Sequence, residues 1–421
     1  MKRTEKRIQS SLDAFNVIGE TDEGIQRIAY THNEKEAQVL FAYLCKKEGM
    51  DIKVDAVGNV IARRQGRFRN APAVAIGSHV DTVYTGGRFD GIAGVVAGLE
   101  VVRRLNEKNI RTDYPVEIIA FTSEESSRFG MSTIGSKAMT GKLSIEQAVK
   151  QRDKDGVSLA EAMKNYNFEI DNVKEAVRSK AELHSFLELH IEQGPELEKQ
   201  NKKIAIATGI AAPTRLRVGV KGMAAHSGTT SMDNRKDALI AASQLVIMVE
   251  KFAQEESLHK TVATVGVFDV FPGAMNVIPG NVEFNVDIRG LNSASKHRIV
   301  ECINNEAKIL EASRGVDIDV DMIGDEQPVL LDEDIRQVLL DSCKDLGIEP
   351  MVFPSGAGHD AMNMQSICPT GLIFVPSHKG ISHNPKEYTA IEDIALGCDL
   401  LEKCVLELSI EREISNAKTS G

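Results

Sequence analysis

The chain has 421 residues, 42% of them hydrophobic and 26% charged, with a formal net charge of −11. That length exceeds one typical core and sets two domains as the prior. The acidic balance, without a long basic run, argues against nucleic acid and against anionic membranes as partners. Residues 1–15 are charged and lack the apolar centre of a secretory signal. No stretch approaches the ~20 apolar residues of a membrane span. Six scattered cysteines without a C-x-x-C pair fit a reducing compartment, so the expected location is the cytoplasm.

Residues 33–50 pattern as a helix, with Asn33 and Glu36 spaced as a capping pair and Ala37, Leu40, Phe41 and Leu44 on one apolar face. Residues 54–64 have strand character, broken at Gly58-Asn59. Ala73-Val74-Ala75-Ile76 reads as a buried strand, and Gly91 to Leu105 as a helix. Between them His79, Asp81 and Asp90 sit on the loop where strand turns into helix. A second buried strand, 116–121, ends in TSEESSRFG (122–130). Residues 141–182 are polar and helical, and a third strand, 186–190, ends in IEQGP (191–195).

After Pro213 the rhythm changes. Strand 214–220, amphipathic helix 237–252, strands 261–270 and 281–289, helix 295–312 and strand 316–323 follow. That β-α-β-β-α-β order is the split βαβ arrangement of a small two-layer domain. From Asp334 a helix, strands at 351–353 and 372–375 and a closing helix, 391–408, restore the alternation. The expected class is therefore α/β. A catalytic domain with a mostly parallel sheet (1–212 and 330–421) is interrupted by an inserted ferredoxin-like α+β domain (213–329).

In open α/β sheets, ligands bind beyond the carboxyl ends of the strands. Three such ends carry metal-ligand residue types: His79, Asp81 and Asp90; Glu124 and Glu125; His190. The loop after 372–375 adds His383. Singly, each has a plainer reading: a polar loop capped by Asp81, a solvated acidic pair, a satisfied near-core histidine, a turn residue before Asn-Pro. Brought to one rim, they form a His/Asp/Glu/His/His set sufficient for two zinc-class ions sharing a carboxylate. Adjacent glutamates cannot easily both face one point. One can ligate while the other holds a proton near a metal-bound water, whose pKa falls to about 7. His32, His184, His259, His297 and His378 read as surface or structural. Arg289 reads as a strand-end charge, and His226 as either a turn or a site residue.

Eight stretches together resemble the amidase/hydantoinase/carbamoylase branch of the M20 dinuclear metallopeptidase superfamily. They are GSHVDTVYTGGRFDG (77–91), EESSRFG (124–130), ELHIEQGPELE (188–198), KGMAAHSGTTSM (221–232), MNVIPG (275–280), DIRG (287–290), SGAGHDA (355–361) and GISHNP (380–385). The resemblance covers almost the whole chain. It implies a zinc-exopeptidase-like catalytic domain holding two divalent ions per subunit, zinc first, with manganese or cobalt as alternatives. It gives His79, Asp90 and His190 to one ion and Asp90, Glu125 and His383 to the other, with Asp90 as the bridge. Glu124 matches the general base, and Asp81 the carboxylate that orients the His79 ring. His226, Asn276 and Arg289 match residues for the substrate carboxylate and scissile carbonyl, with Gln193 and the backbone of Ala357 and Gly358 lining the same pocket. Arg215, in Thr-Arg-Leu-Arg, is a further candidate substrate contact.

In the family the inserted domain serves as lid and as homodimer surface. Ser231 and Ser126 depart from the Pro and Gly common in relatives, both close to the implied pocket. The implied substrate is a small ureido or carbamoyl acid that carries a carboxylate. The leading reading is an N-carbamoyl-L-amino acid hydrolase yielding amino acid, carbon dioxide and ammonia. The alternatives are an allantoate amidohydrolase, an M20-type dipeptidase or aminoacylase, and a metal-loaded scaffold without catalysis.

Overall fold

The buried apolar runs become strands. In the computed structural model, which describes residues 2–410, Thr370–Val375, Leu183–Ile191, Ala73–His79 and Val116–Phe121 lie side by side and parallel, in that order. Parallel strands are covered on both faces, which is why these read as unbroken apolar runs and not as alternation. Antiparallel strands flank them: Ala205–Ile210 on one side, Val60–Arg64 and then Asp51–Val54 on the other. Helices Arg3–Asn16, Ile92–Glu107, Glu333–Asp345 and Ile391–Leu408 share one core with this sheet through Leu12, Phe15, Val95, Leu99, Leu339, Ile394 and Leu401. Register sets His79 beside Phe121 and His190 beside Phe374, so the loops that follow these strands leave from one rim.

Contacts divide the chain into two compact units. The first takes the residues up to Thr208, Leu331–Phe353 and those from Gly358 on; the second takes Gly209–Leu330 and Pro354–Ala357. Residues 411–421, the end of the expected catalytic domain, lie outside the described residues. In the second unit, strands Val262–Phe271, Asn281–Gly290, Ala212–Lys221 and Asp317–Asp325 form an antiparallel sheet in that order. Leu216, Val218, Val220, Val282, Phe284, Val286 and Ile288 alternate inward and pack with helices Ala238–Glu255 and Ser293–Arg314. That is a ferredoxin-like layer pair. Among the described residues no helix is long and apolar enough to cross a membrane.

Local departures from the sequence expectations have identifiable causes. The 33–50 helix runs His32–Lys47, and its capping pair does not form. Asn33 Nδ2 donates to the Gln26 carbonyl instead, and Glu36 faces His32. The 54–64 strand splits because the Asp55 carboxylate accepts the Val57, Gly58 and Asn59 amides, closing a turn. Residues 141–182 are not one helical stretch but the short helices Ile145–Lys150 and Leu159–Asn165 and the 3-10 turn Ile170–Ala176. The helix Arg3–Asn16 was not anticipated.

Candidate metal centre

His79 closes its strand, and the chain returns toward helix Ile92–Glu107 through Gly91, at φ +65. A Cβ on Gly91 would lie 2.5 Å from the His79 ring, so only glycine lets the loop pass this close. The ring Nδ1 faces the Asp81 carbonyl at 3.0 Å, and His190 Nδ1 faces the Ile191 carbonyl at 2.9 Å. A carbonyl only accepts, so both rings carry hydrogen on Nδ1 and offer an Nε2 lone pair. The Gly91 amide donates to that lone pair on His190 at 3.3 Å. Asp90 Oδ1 lies 3.4 Å from His79 Nε2 and 3.2 Å from His190 Nε2, buried and without a hydrogen-bond donor. An anionic oxygen facing two lone pairs is repulsive unless a cation, proton or metal, stands between them. On the other side, Asp90 Oδ2 is 3.3 Å from His383 Nε2, itself 3.2 Å from Glu125 Oε1. Within each trio, His79/Asp90/His190 and Asp90/Glu125/His383, the donor atoms lie within 4.8 Å of one another. These nitrogen and oxygen donors, with an orphaned carboxylate oxygen among them, fit a divalent metal.

The electrostatics agree. Burial lowers the His79 and His190 pKa values, but facing carboxylates outweigh it and hold both above the usual imidazole range. Donation to the Asp90 and Glu125 carboxylates pushes His383 up to about 11. Asp90, against its own burial, is drawn well below the carboxylate range by His190, His383 and His79. The protein has built a place that favours positive charge.

The adjacent glutamates reach one site through the backbone. Ser123 sits in the left-handed region at φ 51, and the Asp81 carboxylate accepts the next two amides, Glu124 N at 2.9 Å and Glu125 N at 3.0 Å. Glu125 then faces His383, while Glu124 Oε2 comes 3.9 Å from His79 Nε2. This shifts the part expected of Asp81. Its carboxylate is 3.5 Å from His79 Nδ1 and is spent on the two amides; its carbonyl is the ring's nearer partner. Gln193 and His383 are also left-handed, at φ 55 and 54, as non-glycine residues seldom are. Gln193 Nε2 donates to Asp90 Oδ2 at 2.7 Å, which puts this side chain against the ligand set.

Within the second unit, His226 and Asn276 are exposed neighbours, the Ser227 amide donating to the Asn276 carbonyl. His226 Nδ1 accepts from the Gly228 amide at 3.0 Å, leaving the ring hydrogen on Nε2. Arg289 lies side-on to Asp287, with Nε 3.2 Å from Oδ1 and Nη2 3.1 Å from Oδ2; Arg215 Nε is 3.8 Å from the same carboxylate. Ala357 turns back on Ser355, whose hydroxyl donates to its carbonyl.

Residues 75–407 match the model of peptidase family M20/M25/M40. The chain belongs to that family. It is similar to an uncharacterized hydrolase of Haemophilus influenzae, 43% identical over 401 residues, 95% of this chain and 97% of the relative. It is 39% identical to N-carbamoyl-L-amino acid amidohydrolase of Geobacillus stearothermophilus over 409 residues, 97% and 99% of the two chains. Ureidoglycolate hydrolase of Oryza sativa and allantoate amidohydrolase of Bacillus subtilis are each 34% identical over 391 residues, 92% of this chain and 81% and 93% of theirs. Among solved structures, an amidase of the hydantoinase/carbamoylase family from Burkholderia multivorans superposes with a TM-score of 0.89 at 35% identity, covering 97% and 98% of the chains. The resemblance read in the motifs therefore holds. This M20 protein is a hydrolase of C–N bonds in non-peptide amides, and its family and donor set point to a divalent metal.

Several residues around the M20 centre escaped the sequence reading. Glu387 Oε1 accepts the Phe89 and Asp90 amides at 2.8 and 3.0 Å, and the Ser382 hydroxyl lies 2.8 Å from its Oε2 and 2.9 Å from Asp90 Oδ2. Burial and the Asp90 charge push Glu387 up to about 7. An acid just past a turn gives no hint of this. Glu188 did carry a signal, an acid within an apolar strand; it accepts from Ser78 Oγ and the Ala361 amide. His359, inside SGAGHDA but given no role, packs edge-on against His190 with centroids 4.6 Å apart. The histidines read as surface or structural, His32, His184, His259, His297 and His378, join no ligand group among the described residues.

Proposed function

We propose that the protein hydrolyses the carbamoyl C–N bond of N-carbamoyl-L-amino acids to the amino acid, carbon dioxide and ammonia. The observation that carries this reading is the convergence of His79, Asp90, Glu125, His190 and His383 with Glu124 alongside, in a chain 39% identical to an enzyme of that name. His79, Asp90 and His190 would hold one ion, and Asp90, Glu125 and His383 a second, zinc first with manganese or cobalt as alternatives. When bound, such ions supply a Lewis acid for the carbonyl and a water of lowered pKa.

Glu124 takes a proton from the attacking water and returns it to the departing nitrogen. Burial, opposed by the His79 charge and reinforced by Glu125, raises its pKa well above the carboxylate range. His226 offers its Nε2–H, and Asn276 its amide, to the oxygen on which charge develops. Arg289, aligned by Asp287, takes the substrate carboxylate as a planar fork, with Arg215 on the neighbouring strand as a second cation. Gln193 and the backbone at Ala357 and Gly358 are further substrate contacts in this reading. A homodimer through the inserted unit belongs to this reading, supported by the exposed apolar strand residues Val262, Val267 and Phe271 and testable by sedimentation.

The allantoate amidohydrolase relative supports allantoate as the second candidate substrate. Ammonia release from a panel of N-carbamoyl, N-formyl, N-acetyl and dipeptide substrates plus allantoate tests both. The expected result is the highest kcat/KM on an N-carbamoyl-L-amino acid. A preference for allantoate would replace the substrate, and peptide cleavage without ammonia would remove the reading. Glu124→Gln should keep its metal and lose about 10²–10⁴ in kcat.

A further inference from the structure

The two glutamates of the centre stand on a turn that its own backbone does not hold on the amide side. Four successive amides after strand Val116–Phe121 each donate to a side chain. Thr122 N goes to Asn59 Oδ1 at 3.0 Å, Ser123 N to Glu34 Oε1 at 2.9 Å, and Glu124 N and Glu125 N to the two oxygens of Asp81. The carbonyls of Thr122, Ser123 and Glu124 accept from the Gly135, Ile134 and Thr133 amides. The turn is gripped from both sides.

Glu34 is the unexpected member. It lies in the first turn of helix His32–Lys47, where an acid ordinarily serves the helix dipole from the surface, yet it is buried. Its Oε1 also accepts from the Thr122 hydroxyl at 2.7 Å, and its Oε2 from the Tyr30 amide at 2.5 Å. No cation is among these partners, so desolvation of the carboxyl is offset only by hydrogen bonds that converge on residues 122–123. Ser123 needs such a clamp. Its φ of 51 is unfavourable for a residue with a Cβ, and its own Oγ is buried without a partner. If the amide were released, the turn would relax toward negative φ and swing the next two side chains away from a common point.

We propose that Glu34 is a positioning residue for the Glu124–Glu125 pair, its carboxylate fixing the Thr122–Ser123 turn that aims both acids at the metal ligands. This rests on the reading of Glu124 as proton carrier and Glu125 as ligand. Glutamine at 34 keeps the volume but puts an N–H donor against either Tyr30 N–H or Ser123 N–H. Valine at 122 removes the hydroxyl partner and leaves Glu34 in place.

The experiment compares full-length Glu34→Gln, Thr122→Val and Glu124→Gln with the unaltered protein, all loaded with zinc. It measures bound metal per chain by elemental analysis, kcat and KM from ammonia release, and far-UV circular dichroism. A displaced acid pair predicts a folded Glu34→Gln with kcat down about 10–100-fold, KM little changed and reduced metal content. Thr122→Val should follow in the same direction, by about threefold to tenfold. A purely structural Glu34 would lower the melting temperature and leave metal content and kcat of the folded protein alone, which overturns the proposal. If Glu34→Gln does not fold, unchanged kcat and metal content in Thr122→Val overturn it equally. Full turnover in Glu124→Gln would instead sink the functional reading itself; an inactive Glu124→Gln beside unaffected Glu34 and Thr122 variants sinks only the present proposal.

Discussion

Asp81→Asn puts the geometry of the centre to a quantitative test. The side chain is fully buried, and its two oxygens each accept one amide, from Glu124 and Glu125. Asparagine keeps the shape and one acceptor, but its amide nitrogen must face one of the two N–H groups. A hydrogen bond to a charged group contributes about 1.5–3 kcal/mol, and a buried donor left without a partner costs about 1–3 kcal/mol. Since both describe one broken contact, a loss of about 1.5–3 kcal/mol is expected. The neighbouring Arg27 adds to it: burial lowers this guanidinium to about 10, and the Asp81 charge is the first of the opposing influences. The chain can escape part of the cost by letting the turn open, which moves one glutamate off target, and a shift of about 1 Å can reduce a rate about 10²-fold. Thermal melts, metal content and ammonia release on the same preparation therefore report one event. A variant with native metal content, native kcat and native melting temperature would refute the claim that this carboxylate sets the acid pair.

Gly91→Ala should lose metal at the His79 side. The new Cβ would fall 2.5 Å from the imidazole at a φ that costs a residue with a side chain about 1–2 kcal/mol, and normal metal stoichiometry would contradict the packing described. Metal uptake should release protons, because His383 is held up to about 11 and must give up its proton to ligate. Apparent affinity then rises with pH from 6 to 9, and the calorimetric heat depends on the buffer's ionisation enthalpy; a buffer-independent heat would contradict this. Arg289→Lys should raise KM about tenfold with little change in kcat, since an ammonium cannot present the planar fork; a fall in kcat alone would reassign the residue.

The candidate ligand set was legible because the strands that carry it announce themselves as apolar runs. His79, His190 and the Glu124–Glu125 pair mark the ends of three parallel neighbours, and His383 follows the fourth. What surrounds them was not. Glu34 and Glu387 look like surface acids until tertiary folding turns them onto amides far away in sequence. Asn33 and Glu36 had capping spacing, but the Gln26 carbonyl took the asparagine. The helix Arg3–Asn16 did leave a signal, Ile8, Leu12 and Phe15 at helical spacing, beneath a charged majority. The division of labour within Asp81 depends on distances of a few tenths of an ångström, which no residue pattern encodes.

The main segment of the second unit, Gly209–Leu330, opens and closes at one place. Gly209 pairs with Leu330 and Ile210 with Val329, and one step outward Leu331 N donates to the Thr208 carbonyl. Were residues 209–330 a slack tether, joining its ends would cost about 4 kcal/mol of configurational entropy. A segment that ties its own ends together discharges that cost in advance and enters the surrounding fold as a short hairpin would. Its interior can therefore lengthen, shorten or be exchanged with little penalty to the fold that carries the imidazoles, provided the knot at its base stays tied.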